Sequence, residues 1–375
     1  MSKGTIQGYA TREGTERFRL RHEGNTTVIG HFKRFNEYAL SSIGIGTYLG
    51  KADQATDALV VDAVKRSIAS GAVNVVDTAI NYRFQKSERA VGRALKELIE
   101  EGICKRDEVF ISTKNGYLTH DADLSMDFWE YIHTNLIKTG VISADDISSG
   151  YNCIKVSYLE DQLKRSLKNL GLECIDLIYL HNAAEEQLPD VGRDRFMQML
   201  KEAFEFYEAR RREGLIRYYG MATWDCLRVE PDNPLYMNIK DIIDIAENVA
   251  SKDHGFKFIQ LPFNMAMHEA ATLKNQVIDG KVYTVMEAAT LLGINIFTSV
   301  PLLQGRLLHR DVMSLVKAET PALACLQFAR SSKAIPLIGQ KKREHVEENL
   351  RIAKIPPLGN DEFSSIIASL TVRAA

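Results

Sequence analysis

Val73-Asn-Val-Val-Asp-Thr-Ala-Ile-Asn-Tyr82, followed by Ser87-Glu88, is the stretch on which the reading of this chain turns. A β-rich run, Asn74 to Val76, ends at Asp77, and Tyr82 stands five residues further on. Ser87-Glu88 then opens a helical pattern of Ala90, Val91, Ala94, Leu95 and Leu98. The pattern is a strand delivering a carboxylate to its C-terminal tip, then a loop presenting a phenol beside it. In parallel α/β proteins chemistry sits at those tips. Taken alone, the two residues serve equally well as a helix cap and a packed aromatic.

The flanking sequence repeats the same unit. Ser42–Tyr48 reads as a strand and 53–70 as a helix with apolar Ala58, Val61, Ala63, Val64 and Ile68. Further strands are expected at 108–114, 174–181, 216–221, 257–261, 294–299 and 335–338. Helices follow at 87–101, 158–170, 196–212, 237–250, 285–292, 321–331 and 344–352, with an extra one at 361–370. Eight buried, β-branched strands alternating with amphipathic helices predict an α/β fold, a (β/α)8 TIM barrel. A doubly wound sheet would show Gly-x-Gly-x-x-Gly after its first strand; Gly44-Ile-Gly46 is followed by Leu49 instead. Residues 1–375 are expected to form one domain with an N-terminal extension over 1–40, an insertion at about 115–157 and a C-terminal tail from about 355. Phe18 to Ile29 suggests two short strands around Glu23-Gly24-Asn25, an N-terminal hairpin. The long βα loops 115–157, 223–236 and 264–284 belong on the active face, the first with a possible helix at 126–138.

Composition narrows the partners. The net charge of −2 and the lack of a basic stripe argue against nucleic acid. No apolar run approaches membrane-spanning length and the first residues lack an apolar leader, so no membrane contact and a cytoplasmic location are expected. Cys104, Cys153, Cys174, Cys226 and Cys325 are scattered, without a Cys-x-x-Cys pair, and read as reduced thiols.

Three consecutive strands end in Asp77, Lys114 and His181, which a barrel places side by side on one rim, with Tyr82 just beyond the first. Each has an ordinary alternative as a solvated or capping strand end; together they make sense as acid catalysis. A free phenol titrates near 10, and a nearby ammonium lowers that value. A carboxylate can hold the ammonium, and an imidazole can orient a carbonyl oxygen. The set suits protonation of a developing alkoxide. With no metal-ligand pattern and no evident nucleophile, hydride transfer from a cofactor to a carbonyl is implied.

At these residues the chain resembles the aldo-keto reductases, over roughly residues 40 to 355. The likeness rests on Gly46-Thr47-Tyr48, Asp77-Thr-Ala-x-x-Tyr82 with Ser87-Glu88, Thr113-Lys114, and Leu170-Gly171 before Ile175-Asp-Leu-Ile-Tyr-Leu-His181. It continues through Gln260-Leu-Pro-Phe-Asn264, Pro301-Leu302 with Gly305, and Gly339-x-Lys341-x-x-x-x-Val346-Glu-Glu-Asn349. The resemblance implies NAD(P)H-dependent reduction of an aldehyde or ketone, reversible as alcohol oxidation, with Asp77, Tyr82, Lys114 and His181 as tetrad and Tyr82 as proton donor.

For the cofactor, the resemblance implies contacts from Gly46, Thr47, Tyr48, Asp77, Thr223, Gln260 and Ser299. Pro301, Leu302, Gly305, Gly339, Lys341, His345, Glu348 and Asn349 complete that set. Lys341-Lys342-Arg343 at a helix N-terminus favours a phosphate, hence NADPH (NADP+) over NADH. His345 stands where many relatives carry Arg or Gln. Tyr48, Tyr82, His181 and Trp224, with the Met265–Met267 segment, are expected to meet a small carbonyl or alcohol substrate. Two departures stand out: Ala222-Thr223 replaces the Ser-Asn pair that grips the carboxamide, and Ser299 the stacking aromatic. They keep open a weakly catalytic NADP(H)-binding, redox-sensing subunit of a larger assembly. A barrel hydrolase or lyase would need a metal or nucleophile at the rim. The sequence leaves substrate identity and oligomeric state open.

Overall fold

The computed structural model describes residues 4–374. Eight parallel strands, Gly44–Gly46, Val75–Asp77, Phe110–Asn115, Ile175–His181, Ile216–Ala222, Phe256–Pro262, Asn295–Ser299 and Ile335–Gly339, close into a barrel in sequence order. The register sets the rim: Gly46 pairs with Asp77, Asp77 with Ser112, His181 with Ala222, and Ala222 with Gln260. One-residue steps along the strands therefore decide which side chains meet.

The barrel interior is aromatic. Phe258 stacks on Phe297 at 5.8 Å between ring centres, and Phe110 lies 6.2 Å from Phe297. Phe35, Tyr38 and Leu40 plug the base of this core. A larger apolar layer lies between strands and helices, where the inner faces of helices Gln54–Ala69 and Lys86–Glu100 contribute Val64, Ile68, Ala94 and Leu95. Asp53 caps the first of these helices through Thr56 N at 2.8 Å.

The N-terminal hairpin exists, but not over 18–29. Residues Arg12–His22 form a helix capped by Thr11, and the hairpin pairs Phe32–Phe35 with Tyr38–Ser41 around Asn36 at φ 49°. Leu20 and Ile29, apolar residues of the stretch expected as strands, are 63% and 82% exposed. What holds the helix is remote in sequence: Phe18 is buried, and Arg17 and Arg21 pair with the buried Glu108.

Two further elements carry no clear sequence signal. Ala183–Val191 is a helix despite Pro189, and Lys274–Ile278 pairs with Lys281–Thr284 inside the third long loop. The insertion builds its own small core from Leu118, Tyr131, Ile132, Leu136, Ile142 and Tyr158. Its helix, Phe128–Ile132, runs into a π-helical turn, His133–Ile137. The final helix spans Asn360–Ala374. All five cysteines are buried and unpaired. Among the described residues no helix is long and apolar enough to cross a membrane.

Candidate active site

Strand ends place the charged core of the site. Lys114, wholly buried, donates from Nζ to Asp77 Oδ2 at 2.5 Å and to the carbonyl of Thr78 at 2.8 Å. Asp77 Oδ1 receives the Ser112 hydroxyl at 2.7 Å and Gln260 Nε2 at 3.0 Å. The carboxylate is thus fixed on both oxygens, and it fixes the lysine. The ammonium lies 4.7 Å from the centre of the Tyr82 ring, and the His181 ring is 5.8 Å from it. The four expected residues converge.

The motif beyond Tyr82 positions rather than reacts. Ser87 donates to the Thr47 carbonyl at 2.9 Å. Buried Glu88 receives Thr113 at 2.7 Å and Asn169 at 2.9 Å, tying the helix to the strand that carries Lys114. Between Tyr82 and Ser87, Arg83, Phe84 and Gln85 take φ of 51°, 54° and 75°, three consecutive left-handed residues. Arg83 anchors this turn to the Lys51 carbonyl at 2.8 Å and to Asp57. Such strain persists only where the surroundings over-determine the backbone.

The electrostatics differ from the expectation in one respect. Burial raises the Tyr82 phenol above its ordinary value, and the opposing pull of Lys114 only offsets part of that rise. The side chain is therefore held as the acid. Burial works to lower Lys114, but the Asp77 carboxylate and the Tyr82 phenol outweigh it and raise it. Burial, aided by Lys114, drives His181 well below the usual imidazole range, so it is neutral at pH 7. A neutral imidazole keeps one N–H for a carbonyl oxygen.

A cavity of about 520 Å³ opens over these residues. From the expected set, Gly46, Thr47, Tyr48, Asp77, Tyr82 and His181 line it on one side. Thr223, Trp224, Gln260 and Ser299 line the floor and the opposite wall. Pro301, Leu302, Gly305, Gly339 and His345 carry it toward the helix Arg343–Leu350. Lys114 stands behind Asp77, out of the lining. Lys341, Glu348 and Asn349 lie beyond it, on the turn and helix Arg343–Leu350. The Met265–Met267 segment does not line the cavity; it forms a tight turn in which Asn264 pairs with Met267, and Met265 is buried in the core. Sequence reasoning missed Asn81, Tyr117, Asn182 and Val300, which do line it. Asn81, Asn182 and Val300, adjacent to Tyr82, His181 and Ser299, were within reach of a local reading; Tyr117 was not.

The groove and the turn beyond it hold polar groups that the fold leaves unpaired. The Thr223 hydroxyl and Asn349 Oδ1 are buried without a hydrogen-bond partner. Val300 is held at φ 49°, its carbonyl receiving Asn264 Nδ2 at 3.0 Å, so the loop over the cavity is strained into place. Of the three cations at 341–343, Arg343 pairs with Glu347 at 2.7 Å, leaving Lys341 and Lys342 without a carboxylate among the described residues. No group of three His, Cys, Asp or Glu side chains among the described residues is placed to hold a metal ion.

The model of the Aldo/keto reductase family matches residues 42–317. The NADP(+) aldo-keto reductase yakc of Schizosaccharomyces pombe is 28% identical over 146 residues, 39% of this chain and 31% of that protein. The NADH-specific methylglyoxal reductase of Escherichia coli is 25% identical over 194 residues, 50% of each chain. The chain thus spans half or less of the curated relatives it matches. An aldo/keto reductase from Klebsiella pneumoniae, solved with NADP and acetate, superposes with a TM-score of 0.60 over 92% of this chain and 95% of that one. Its identity is 19%, so this likeness speaks for the barrel alone.

Proposed function

This chain belongs to the aldo/keto reductase family, and we propose that it reduces an aldehyde or ketone with a nicotinamide cofactor, Tyr82 giving the proton. The observation that carries the reading is the convergence of Asp77, Lys114, Tyr82 and His181 on one cavity. The nicotinamide, when bound, supplies the hydride. His181, neutral, donates to the carbonyl oxygen and orients it. The Tyr82 hydroxyl hands its proton to that oxygen as negative charge builds, and the Lys114 ammonium stabilises the phenolate left behind. Asp77 keeps the ammonium charged and in place. Run backward, the same groups oxidise an alcohol.

Thr223, Gln260 and Asn349 would hold the cofactor, with Lys341 and Lys342 toward a phosphate. NADPH is favoured over NADH because those two lysines lack carboxylate partners among the described residues. The relatives point both ways, one named for NADP(+) and one for NADH. Fluorescence titration with each cofactor, then nicotinamide absorbance against a carbonyl panel, tests the reading. Failure of a folded protein to bind either cofactor rejects it; equal affinities reject only the preference.

Ala222, Thr223 and Ser299 favour a second reading, a redox-sensing subunit that binds NADP(H) and turns over weakly. Tight binding with no turnover, and a partner that co-purifies, would select it.

A further inference from the structure

The cavity has a polar end that the tetrad does not use. Tyr117 stands beside His181, 4.9 Å between ring centres, on the side away from Asp77. Its hydroxyl donates to Glu186 Oε1 at 2.5 Å and receives Asn182 Nδ2 at 3.1 Å. The phenol's proton is thereby committed, and one lone pair of its oxygen is left for a ligand. Burial first, and the Glu186 carboxylate second, push this phenol up, so it stays protonated. A second acceptor, Asn81 Oδ1, is buried without a partner next to Tyr82.

Glu186 is held deliberately. It comes from the helix Ala183–Val191, and a Cβ built on Gly150 would fall 1.4 Å from its Oε2. A side chain at 150 would push that carboxylate aside, so glycine there leaves Glu186 its place against the insertion. The neighbouring Glu185 takes the backbone N–H groups of Trp224, Asp225 and Cys226 at 2.8, 2.8 and 3.0 Å. Two carboxylates thus sit behind this end of the cavity, and no lysine or arginine among the described residues lines it.

We propose that Tyr117, oriented by Glu186 and Asn182, is a specificity-determining residue, and that the substrate is a neutral carbonyl compound with a hydroxyl next to the carbonyl. The inference rests on the reductase reading above. A carbonyl held between Tyr82 and His181 directs the substituent on its neighbouring carbon toward Tyr117. A hydroxyl there donates to the phenol oxygen, whereas a carboxylate meets acceptors and negative charge, and the Lys114 ammonium is already committed to Asp77 and the Thr78 carbonyl. The 2-oxo acids are therefore excluded.

Hydroxyacetone, butanone and pyruvate test this, since the first two match in size and the third carries the charge. The wild type should favour hydroxyacetone over butanone by about tenfold in kcat/KM, the scale of one hydrogen bond, with pyruvate last. Tyr117→Phe should bring the first ratio close to one. Gly150→Ala, which displaces Glu186 and leaves Tyr117 in place, should move it the same way by less. Equal kcat/KM for the two ketones in the wild type, or a preference that survives Tyr117→Phe, overturns the proposal. Saturation-transfer NMR of propane-1,2-diol and butan-2-ol on the NADP+-loaded protein separates the two readings. Diol binding that Tyr117→Phe abolishes, without turnover of any ketone, upholds the role of Tyr117 and rejects the reductase reading. Equal binding of the two alcohols rejects the role of Tyr117 whatever the turnover.

Discussion

At the base of the barrel Asp176 meets Arg106; at the rim Asp77 meets Lys114. Both pairs are buried, at 2.8 and 2.5 Å. Asp176 spends its remaining capacity on backbone, taking Ala10 N at 2.6 Å and Ile111 N at 2.7 Å. It pins the N-terminal segment and the start of the strand Phe110–Asn115. Asp77 instead lines a cavity, and around it the Thr223 hydroxyl, Asn81 Oδ1 and His181 Nδ1 are buried without partners. A buried charge whose remaining bonds go to backbone serves cohesion, even though Arg106 Nε is itself left without a partner. One set among orphaned polar atoms is arranged for something that comes from outside.

The comparison breaks first at Tyr82. Tyr82→Phe should lower kcat by roughly 10²–10⁴-fold, the usual reach of a positioned acid, while Tm moves by no more than about 2 °C. A large drop in Tm would make the rim as cohesive as the base. Asp176→Ala is the reverse experiment. It strands the Arg106 guanidinium in the interior and should cost about 3–5 kcal/mol, read as a fall in urea midpoint. A cost under about 1 kcal/mol would deny the base its structural role.

Acid sharpens the contrast. Burial, first, and the charge of Arg330 lower His31 to about 4, although its Nε2 contact with the Ala72 carbonyl at 2.8 Å works the other way. The unfolded chain takes up this proton near pH 6.5 and the folded chain does not, so stability is lost as pH falls from 6.5 toward 4. By pH 5 the loss is about 2 kcal/mol. Chemical denaturation at pH 7 and 5 should show a smaller drop in His31→Asn than in the wild type; equal drops would refute the assignment. The smallest effect is expected at the far end of the groove. Lys341→Ala should weaken NADPH binding by roughly two- to fivefold, the scale of an exposed charge, with much less effect on NADH. Equal effects on both cofactors would mean the lysine does not face the phosphate.

Much of the rim was legible in sequence because its information is local. Asp77, Lys114 and His181 each end an apolar β-run, and a parallel barrel turns strand ends into neighbours without further instruction. The barrel itself followed from period and count. The Tyr117–Glu186–Asn182 corner was not legible, since it joins residues 69 and 65 positions apart. The direction of the Tyr82 shift was missed for a related reason. Proximity to lysine can be inferred from strand order, but the degree of burial that outweighs it cannot. The helix Arg12–His22 was misread because its apolar residues are few and its anchors, Asp107 and Glu108, lie some ninety residues on.

By itself, then, the sequence determined the (β/α)8 barrel and the identity of the four rim residues, because hydrophobic period and strand-end chemistry are written within a few residues of each other. The tertiary structure alone decided how buried each charge is, which polar atoms go unpartnered, and how the insertion closes on Glu186. Those are sums over contacts between distant segments, and desolvation, which sets them, has no local signature in the chain.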